Sequence, residues 1–439
     1  MKLGMIVSLL CVGLTFAAPI DRIGALSVSG GNVVGSKTNG APAQLMGMSF
    51  YHGQYKAGRD FVNRGTITTL AKDWHASVIR IPMMYYDEGS GALDGKGYQS
   101  NVNASTAMVD SVIKIAIDLG IYVVVDWHEV HAIENATLAA TFFTDIATRW
   151  GSYPNVIYEI FNEPMNSPWA SSIKPYATTV VNAIRAKDPD NLIVVGTNTW
   201  SQDVMEPANS PLAGTNIAYT LHFYASDIDH VKLMARADSA MAAGIALFAT
   251  EWGISNASGG GTLDQGRMSA WNTWLLKTKV SSCNWSLTDL NETSAALTGS
   301  SWGSDGSLVH TIPTTGGWTD AQLSVSGKYI KNMLVSNSPA WTAVALVSSS
   351  SSAASNLATV APQVYLLPVA GGLQLILPES QKVTQVELLD LLGHVIVKEM
   401  VANAQTTVEL RPTGSYHGMV LVRITGNGQS RVIPATILR

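Results

Sequence analysis

Cysteine is almost missing from this chain: there are two among 439 residues, Cys11 and Cys283. Cys11 lies inside the opening apolar run and leaves with it, so Cys283 has no partner; internal disulfides are excluded, and Cys–His zinc spacing has nothing to count. Charge is scarce as well, at 13% of residues against 46% hydrophobic, which excludes disorder of the whole and describes a globular chain with a polar, uncharged surface. No basic excess exists: 27 Lys and Arg face 32 Asp and Glu for a net charge of −5, so there is no footprint for nucleic acid. Beyond the opening segment no apolar run is long enough to span a membrane. No ligand cluster asks for a metal, and no cofactor is expected.

What is present begins with Lys2, the apolar run Leu3 to Phe16 and Ala17-Ala18-Pro19, the form of a secretory signal over residues 1–17. The expected location is therefore outside the cell or on its surface, reached through the periplasm. The chain also carries 12 Trp and 14 Tyr, more rings than a core requires, and flat apolar rings with polar edges suit sugar faces as well as packing.

A rhythm of apolar β-type runs follows: Leu45–Phe50, Val78–Met83, Tyr122–His128, Val156–Glu163, Leu192–Asn198, Ile217–Tyr224, Ala246–Gly253 and Cys283–Asp289. A short hairpin at Leu26-Ser27-Val28 and Asn32-Val33-Val34 precedes them, and segments of helical period lie between them, including Ala136 to Trp150 and Ile228 to Ala243. Eight strands alternating with helices predict an α/β fold, a (β/α)8 TIM barrel over 18–335, with a doubly wound sheet as the alternative. Residues 336–362 are rich in Ser and Ala and read as a linker; 363–439 alternate in a β-like way and predict a small C-terminal β-sandwich.

Several of these strands end on a polar or aromatic residue: Arg80, His128, Asn162-Glu163, His222 with Tyr224, Glu251 and Trp285. One such residue is more often a satisfied structural group, but six strands ending this way converge on one mouth if the barrel closes. Glu163 taken alone reads equally as a cap for the following helix. With Glu251 it forms the carboxylate pair that glycosidic cleavage needs, one protonated to donate to the leaving oxygen and one ionised. Arg80 can hold Glu251 ionised, and Asn162 is placed to bind a sugar hydroxyl. Asp227, Asp229 and His230 are expected to begin a helix rather than to bind metal.

In order and spacing, Asp126-Trp127-His128, Asn162-Glu163-Pro164, Gly196 to Val204, Leu221-His222-Phe223-Tyr224, Thr250-Glu251-Trp252-Gly253, Asn256-Ala257-Ser258-Gly259 and Asn284-Trp285-Ser286-Leu287 resemble glycoside hydrolase family five, specifically its bacterial β-1,4-endoglucanases. The resemblance runs from about Leu26 to Leu334. It implies that Glu163 is the acid/base and Glu251 the nucleophile of a retaining endoglucanase acting on β-glucan. Arg80, His128, Asn162, His222 and Tyr224 would surround them, with Trp285 a stacking platform on the glycone side and Trp200 one on the leaving-group side. Mannan or xyloglucan are the alternative substrates, and a glycan-binding protein without catalysis is the alternative class. The chain departs from the family in having Gln54-Tyr55 where a Gln-Trp pair is frequent, and Leu290 where many members have lysine; Glu292 matches. His131 matches some members and reads equally as a solvent-facing loop residue. The C-terminal part resembles type IX secretion sorting domains through the Val-Glu-Leu-Leu-Asp-Leu-Leu-Gly hairpin and Tyr416 to Ile424, which implies the secretion machinery as a partner. A carbohydrate-binding module is the rival, although Tyr365 and Tyr416 are the only aromatics there.

Overall fold

The computed structural model describes residues 17–87, 96–299 and 317–337 and, in the C-terminal part, 365–369, 372–376, 383–390, 394–402, 407–412, 418–426 and 429–437. The expected signal segment, apart from its last residue, lies outside the described residues, as does the Ser/Ala-rich linker from 338 onward.

Eight parallel strands form the larger domain: β1 (Met46–Phe50), β2 (Val78–Met83), β3 (Tyr122–Trp127), β4 (Val156–Glu159), β5 (Ile193–Val195), β6 (Ile217–Thr220, continued by Phe223–Tyr224), β7 (Ala246–Gly253) and β8 (Ser281–Leu287). Each pairs with its sequence neighbour, and β8 pairs with both β7 and β1, for instance Ser282 with Met46, so the sheet closes. A closed barrel, not a doubly wound sheet, is therefore the fold. Helices pack outside it, among them Arg64–Lys72, Val102–Leu119, Ala136–Trp150, Lys174–Arg185, Leu233–Ala242 and Gln265–Thr278. Their ends follow local chemistry. Asn63 and Asp264 accept the backbone N–H groups of Thr66 and Arg267 as N-caps, and Gly120 ends its helix at φ 71°. The last helix, Val325–Asn337, runs two residues past 335, with Ser336 buried within it.

Strand alternation sorts the core into two layers. Ile79, Ile81, Val123, Val125, Tyr158, Ile193, Val195, Tyr219 and Leu247 face outward and pack with the helices. Val78, Tyr122, Val124, Ile157, Val194, Ala218, Ala246, Phe248 and Cys283 fill the lower interior, where the hairpin Leu26–Ser29/Asn32–Gly35 closes the bottom through Leu26 and Val33. Tyr122 donates its hydroxyl to the Gly24 carbonyl on that floor. Cys283 is sealed in the same layer, and burial pushes its thiol up, so it is inert. One turn of alternation higher, the inward face changes character: Arg80, Asp126, Glu159, Thr220 and Thr250 are all fully buried there.

The C-terminal strands form two antiparallel sheets: β9 (Tyr365–Val369), β10 (Gly372–Ile376) and β13 (Thr407–Leu410) in one, and β11 (Val383–Leu389), β12 (Val395–Met400), β14 (Gly418–Gly426) and β15 (Gln429–Ile437) in the other. Leu373, Leu375, Val408 and Leu410 from the first share a buried cluster with Val386, Leu388, Val420 and Val422 from the second. That is a β-sandwich core. Tyr416 lies outside the described residues.

Candidate active site

Arg80 sits at the centre of the barrel mouth with no exposure. Its Nε donates to Glu159 Oε2 at 2.7 Å, Nη1 to Glu251 Oε2 at 3.0 Å, and Nη2 to Asn162 Oδ1 at 2.7 Å, with Asp126 Oδ2 2.9 Å from Nη2. Burial alone would lower its pKa, but Asp126, Glu159 and Glu251 together raise it well above the usual value. The fork of a guanidinium is what allows one cation to serve four partners in different directions.

Glu251 reaches this network because β7 is irregular. Leu247 and Ala249 face outward, so strict alternation would send Glu251 outward too. Between Ala249 and Trp252 the pairing with β8 shifts by one residue, since those two oppose Ser282 and Asn284. The extra residue re-aims the carboxylate into the mouth. There Glu251 accepts from Arg80 on one oxygen and from the Tyr224 hydroxyl on the other at 2.7 Å. Burial raises its pKa, yet His222, Arg80 and His128 with the Tyr224 bond outweigh that, and the net shift is downward. Glu251 is held ionised.

Glu163 lies four residues beyond the last residue of β4 and is more open, its side chain 20% exposed against 8% for Glu251. Its backbone approach is made possible by Gly196, where a Cβ would lie 2.1 Å from the Phe161 carbonyl oxygen and 2.9 Å from Pro164 Cδ. Its Oε1 is 2.9 Å from His222 Nδ1, whose other nitrogen is 3.0 Å from Thr250 Oγ1. Burial lowers the His222 pKa, but Glu159, 3.8 Å from Nε2, the bond to Glu163 and the nearby Glu251 push it up to about 9. As an imidazolium, His222 donates from both nitrogens. One oxygen of Glu163, one of Glu251 and a nitrogen of His222 all lie within 4.8 Å of one another. This trio has the donor types of a divalent-cation site, and both His222 nitrogens already face a partner, Glu163 Oε1 and Thr250 Oγ1.

The two carboxylates stand where two spaces meet. A cleft of about 540 Å³ extends one way along Trp285, His128, Tyr51, His52, Glu129, His131 and Glu292, and a second of about 310 Å³ extends the other way along Trp200, Gln202 and His230. Glu163, Tyr224 and Glu251 border both. On the first side His128 stacks on Trp285 with centroids 5.5 Å apart and planes 6° apart, and His128 Nδ1 is held 2.7 Å from Asp126. Glu292 accepts from Ser294 at 2.9 Å. On the second side Trp200 is 39% exposed and free to stack on a ligand. It is presented by a run of three residues with left-handed backbone, Thr199, Trp200 and Ser201 at φ 58°, 53° and 56°. For residues with a Cβ this conformation costs about 1–2 kcal/mol each.

The mouth thus gathers Arg80, His128, Asn162, Glu163, His222, Tyr224, Glu251 and Trp285, with Trp200 and Glu292 farther out. Tyr55 stands half-buried beside Tyr51 and His52, with ring centroids 6.5 Å and 6.1 Å away. The helix-start reading of Asp227, Asp229 and His230 agrees with the 3-10 turn Ile228–Lys232, where His230 Nδ1 accepts the Tyr224 N–H at 2.7 Å. Sequence reasoning did not single out Tyr51, His52, Glu129, Thr250 or Ser201 for the site. Tyr51 and His52 directly follow β1, which was the available signal.

Residues 36–291 match the family described as cellulase (glycosyl hydrolase family 5). The chain is 42% identical over 311 residues to an endoglucanase of Clostridium saccharobutylicum, covering 69% of this chain and 64% of that protein. With Endoglucanase N of Pectobacterium atrosepticum the identity is 38% over 342 residues, 76% of this chain and 71% of the other. Among solved structures, the catalytic domain of a Thermobifida fusca endoglucanase is similar at 31% identity and a TM-score of 0.64, covering 73% of this chain and all of that one. A Cytophaga hutchinsonii protein is similar at 36% identity and a TM-score of 0.67, covering 75% and 100%. The chain spans 64% of the length of the Clostridium endoglucanase and of Endoglucanase Z from Dickeya dadantii, which falls short of their full extent.

Proposed function

The chain belongs to glycosyl hydrolase family 5, and from that premise we propose that it is an exported endo-β-1,4-glucanase that cleaves β-glucan with retention of configuration. The observation that carries the reading is the approach of Glu163 and Glu251 oxygens to within 4.8 Å of each other at the junction of two clefts. Retaining enzymes hold their carboxyl groups roughly 5–5.5 Å apart, whereas inverting enzymes leave roughly 6.5–9.5 Å for a water. The Clostridium, Dickeya and Pectobacterium relatives are named endoglucanases, which supports a glucan as the polymer.

In this mechanism the ionised Glu251 attacks the anomeric carbon while Glu163 gives its proton to the departing oxygen, forming a glycosyl ester on Glu251. Glu163, now a carboxylate, takes a proton from water, which attacks the ester from the opposite side and restores the starting configuration. Arg80 and Tyr224 hold the two oxygens of Glu251, and Asn162, anchored by Arg80, faces the sugar next to the bond being cut. Trp285 and Glu292 serve the glycone side, and Trp200 the leaving group. The test is hydrolysis of β-1,4-glucan, mannan and xyloglucan with reducing ends counted and the first product read by NMR. Release of the β-anomer from soluble glucan is expected. An α-anomer would overturn the retaining mechanism, and activity confined to mannan or xyloglucan would overturn the substrate.

For residues 363–439 we propose a sorting role, supported by a hydrophobic cluster of their own and by a poverty of aromatics unlike a sugar-binding face. A chain ended between 338 and 364 should keep its activity on soluble β-glucan and its binding to insoluble cellulose but accumulate in the periplasm of its native host. Normal export with weakened cellulose binding would instead mean a binding module. Loss of soluble-substrate activity would mean that the two parts fold as one.

A further inference from the structure

We propose that Ser201 is a positioning residue for the proton-transfer step, holding Glu163 and its partner His222 in register from a single buried side chain and its peptide. The inference rests on the acid/base role proposed for Glu163. Ser201 has no exposure and touches no part of either cleft. Its hydroxyl donates to the Asn162 carbonyl at 2.7 Å, the carbonyl of the peptide that leads into Glu163. The other side of that peptide is also held, because the Glu163 N–H donates to the Glu129 carbonyl at 3.2 Å. The Thr197 N–H donates to the Ser201 hydroxyl oxygen at 3.2 Å, which fixes the rotor so that its hydrogen points at Asn162. At the same time the Ser201 carbonyl accepts the N–H of His222 at 2.8 Å. His222 Nδ1 then meets Glu163 Oε1 at 2.9 Å.

Glu163 is thus approached twice from one residue, through its own backbone and through the imidazolium on its carboxylate. The left-handed backbone at Ser201 is what turns its carbonyl toward β6 while its side chain turns toward the β4 loop. The same run carries Trp200, whose N–H donates to the Pro164 carbonyl at 3.0 Å. The platform for the leaving group and the clamp on the acid are therefore one piece of chain. A sugar stacking on Trp200 bears on the geometry of the group that must protonate it.

The test is the dependence of kcat/KM on leaving-group acidity in a series of aryl β-cellobiosides, measured for the wild type, Ser201→Ala, Ser201→Gly and Glu163→Ala. Both Ser201 variants remove the hydroxyl, and the glycine also relieves the left-handed strain, so an effect common to both belongs to the hydroxyl. With phenol-like leaving groups that need a proton, kcat/KM should fall about 10- to 100-fold in both variants, part of what a general acid supplies. With dinitrophenolate, which needs none, it should change by less than about threefold. The slope against leaving-group pKa should steepen toward that of Glu163→Ala. Partial unfolding scales every rate in one preparation equally and leaves the slope alone. Equal loss for all leaving groups, or no loss, overturns the positioning role. If Glu163→Ala itself fails to steepen the slope, the proposed acid/base is wrong. If Glu163→Ala steepens it and the Ser201 variants do not, only this inference falls.

Discussion

Glu251→Ala is expected to abolish turnover of every β-glucan and aryl glucoside, by at least about 10⁴-fold, because no bond to the anomeric carbon can form without the nucleophile. Glu163→Ala should fail selectively. On polymer the loss should be on the order of 10²–10⁴-fold, the usual contribution of a general acid, while a dinitrophenyl cellobioside still glycosylates Glu251 at nearly the wild-type rate. The glycosyl ester then waits for a water with no base to deprotonate it, and a burst of phenolate followed by a slow phase should be seen. Azide needs no base and should restore turnover in Glu163→Ala with a β-glycosyl azide as product. In Glu251→Ala azide would occupy the vacated nucleophile position and give the α-azide instead. Swapped anomers would exchange the two roles, and identical losses on activated and unactivated substrates for both variants would remove the assignment. The geometry behind the asymmetry is that Glu251 is tied down by Arg80 and Tyr224, whereas Glu163 keeps a side chain open to the cleft.

Arg80→Met should cost both activity and stability. Three carboxylates, those of Asp126, Glu159 and Glu251, contact this one guanidinium, and the first two have no exposure at all. Removing one partner of a buried pair costs about 3–5 kcal/mol because the remaining charge is stranded. Loss of the cation should also free Glu251 from its orientation and lower kcat on the order of 100-fold or more. Arg80→Lys should recover little of either, since an ammonium cannot reach four partners in the plane of a fork. A variant with unchanged melting temperature would show that the network contributes specificity without stability.

The same network predicts how wild-type stability varies with pH. His222 is pushed up to about 9 from its ordinary 6.5, so its contribution is complete below about 6.5 and disappears as pH rises through about 9. Glu159 runs the other way. Burial would raise it, but Arg80 and His222 hold it at about 2 against an ordinary 4.5, so its contribution is complete above about 4.5 and is lost as pH falls through about 2. Asp126 opposes both, because burial beside Glu159 lifts it to about 6 despite Arg80, and keeping it ionised at neutral pH costs stability. Because the Asp126 cost accrues between its ordinary 3.8 and about 6, melting temperature should peak near about pH 4, fall through about 6 with Asp126 and again toward about 9 with His222, and Arg80→Met should flatten the acid limb. A profile still rising at pH 9 would contradict the charge assigned to His222.

Much of this architecture was legible because it rests on local pattern. Alternation in Val78-Ile79-Arg80-Ile81 places Arg80 on the interior face, and the same phase brings Val124 to Asp126 and Ile157 to Glu159, so the inward layer follows from counting. The polar strand ends were visible for the same reason. Glu251 stood out as a polar residue near a strand end, but phase alone misplaces it, since alternation through Leu247 and Ala249 gives it the wrong face and only the shifted pairing with β8 corrects it. Ser201 lay within the Gly196 to Val204 motif, but nothing in the sequence gave it a role of its own. Its contacts with Asn162 and His222 depend on three consecutive left-handed residues, none of them glycine, a conformation that propensity argues against.

Closure of the barrel by β8 against β1 has a consequence for how the protein is made. Met46 waits for Ser282, and the hairpin floor at Leu26 and Val33 waits for interior residues contributed as late as Phe248 and Cys283. At about 5–20 residues per second, a ribosome takes on the order of tens of seconds to supply β8 after β1 has emerged. Throughout that interval the nascent sheet has two unpaired borders and an uncovered apolar floor, a sticky template for any neighbouring strand. No N-terminal fragment ending before β8 encloses the charged layer around Arg80, so until the last strand arrives those carboxylates and their guanidinium stay open to water and the sheet keeps its unpaired borders.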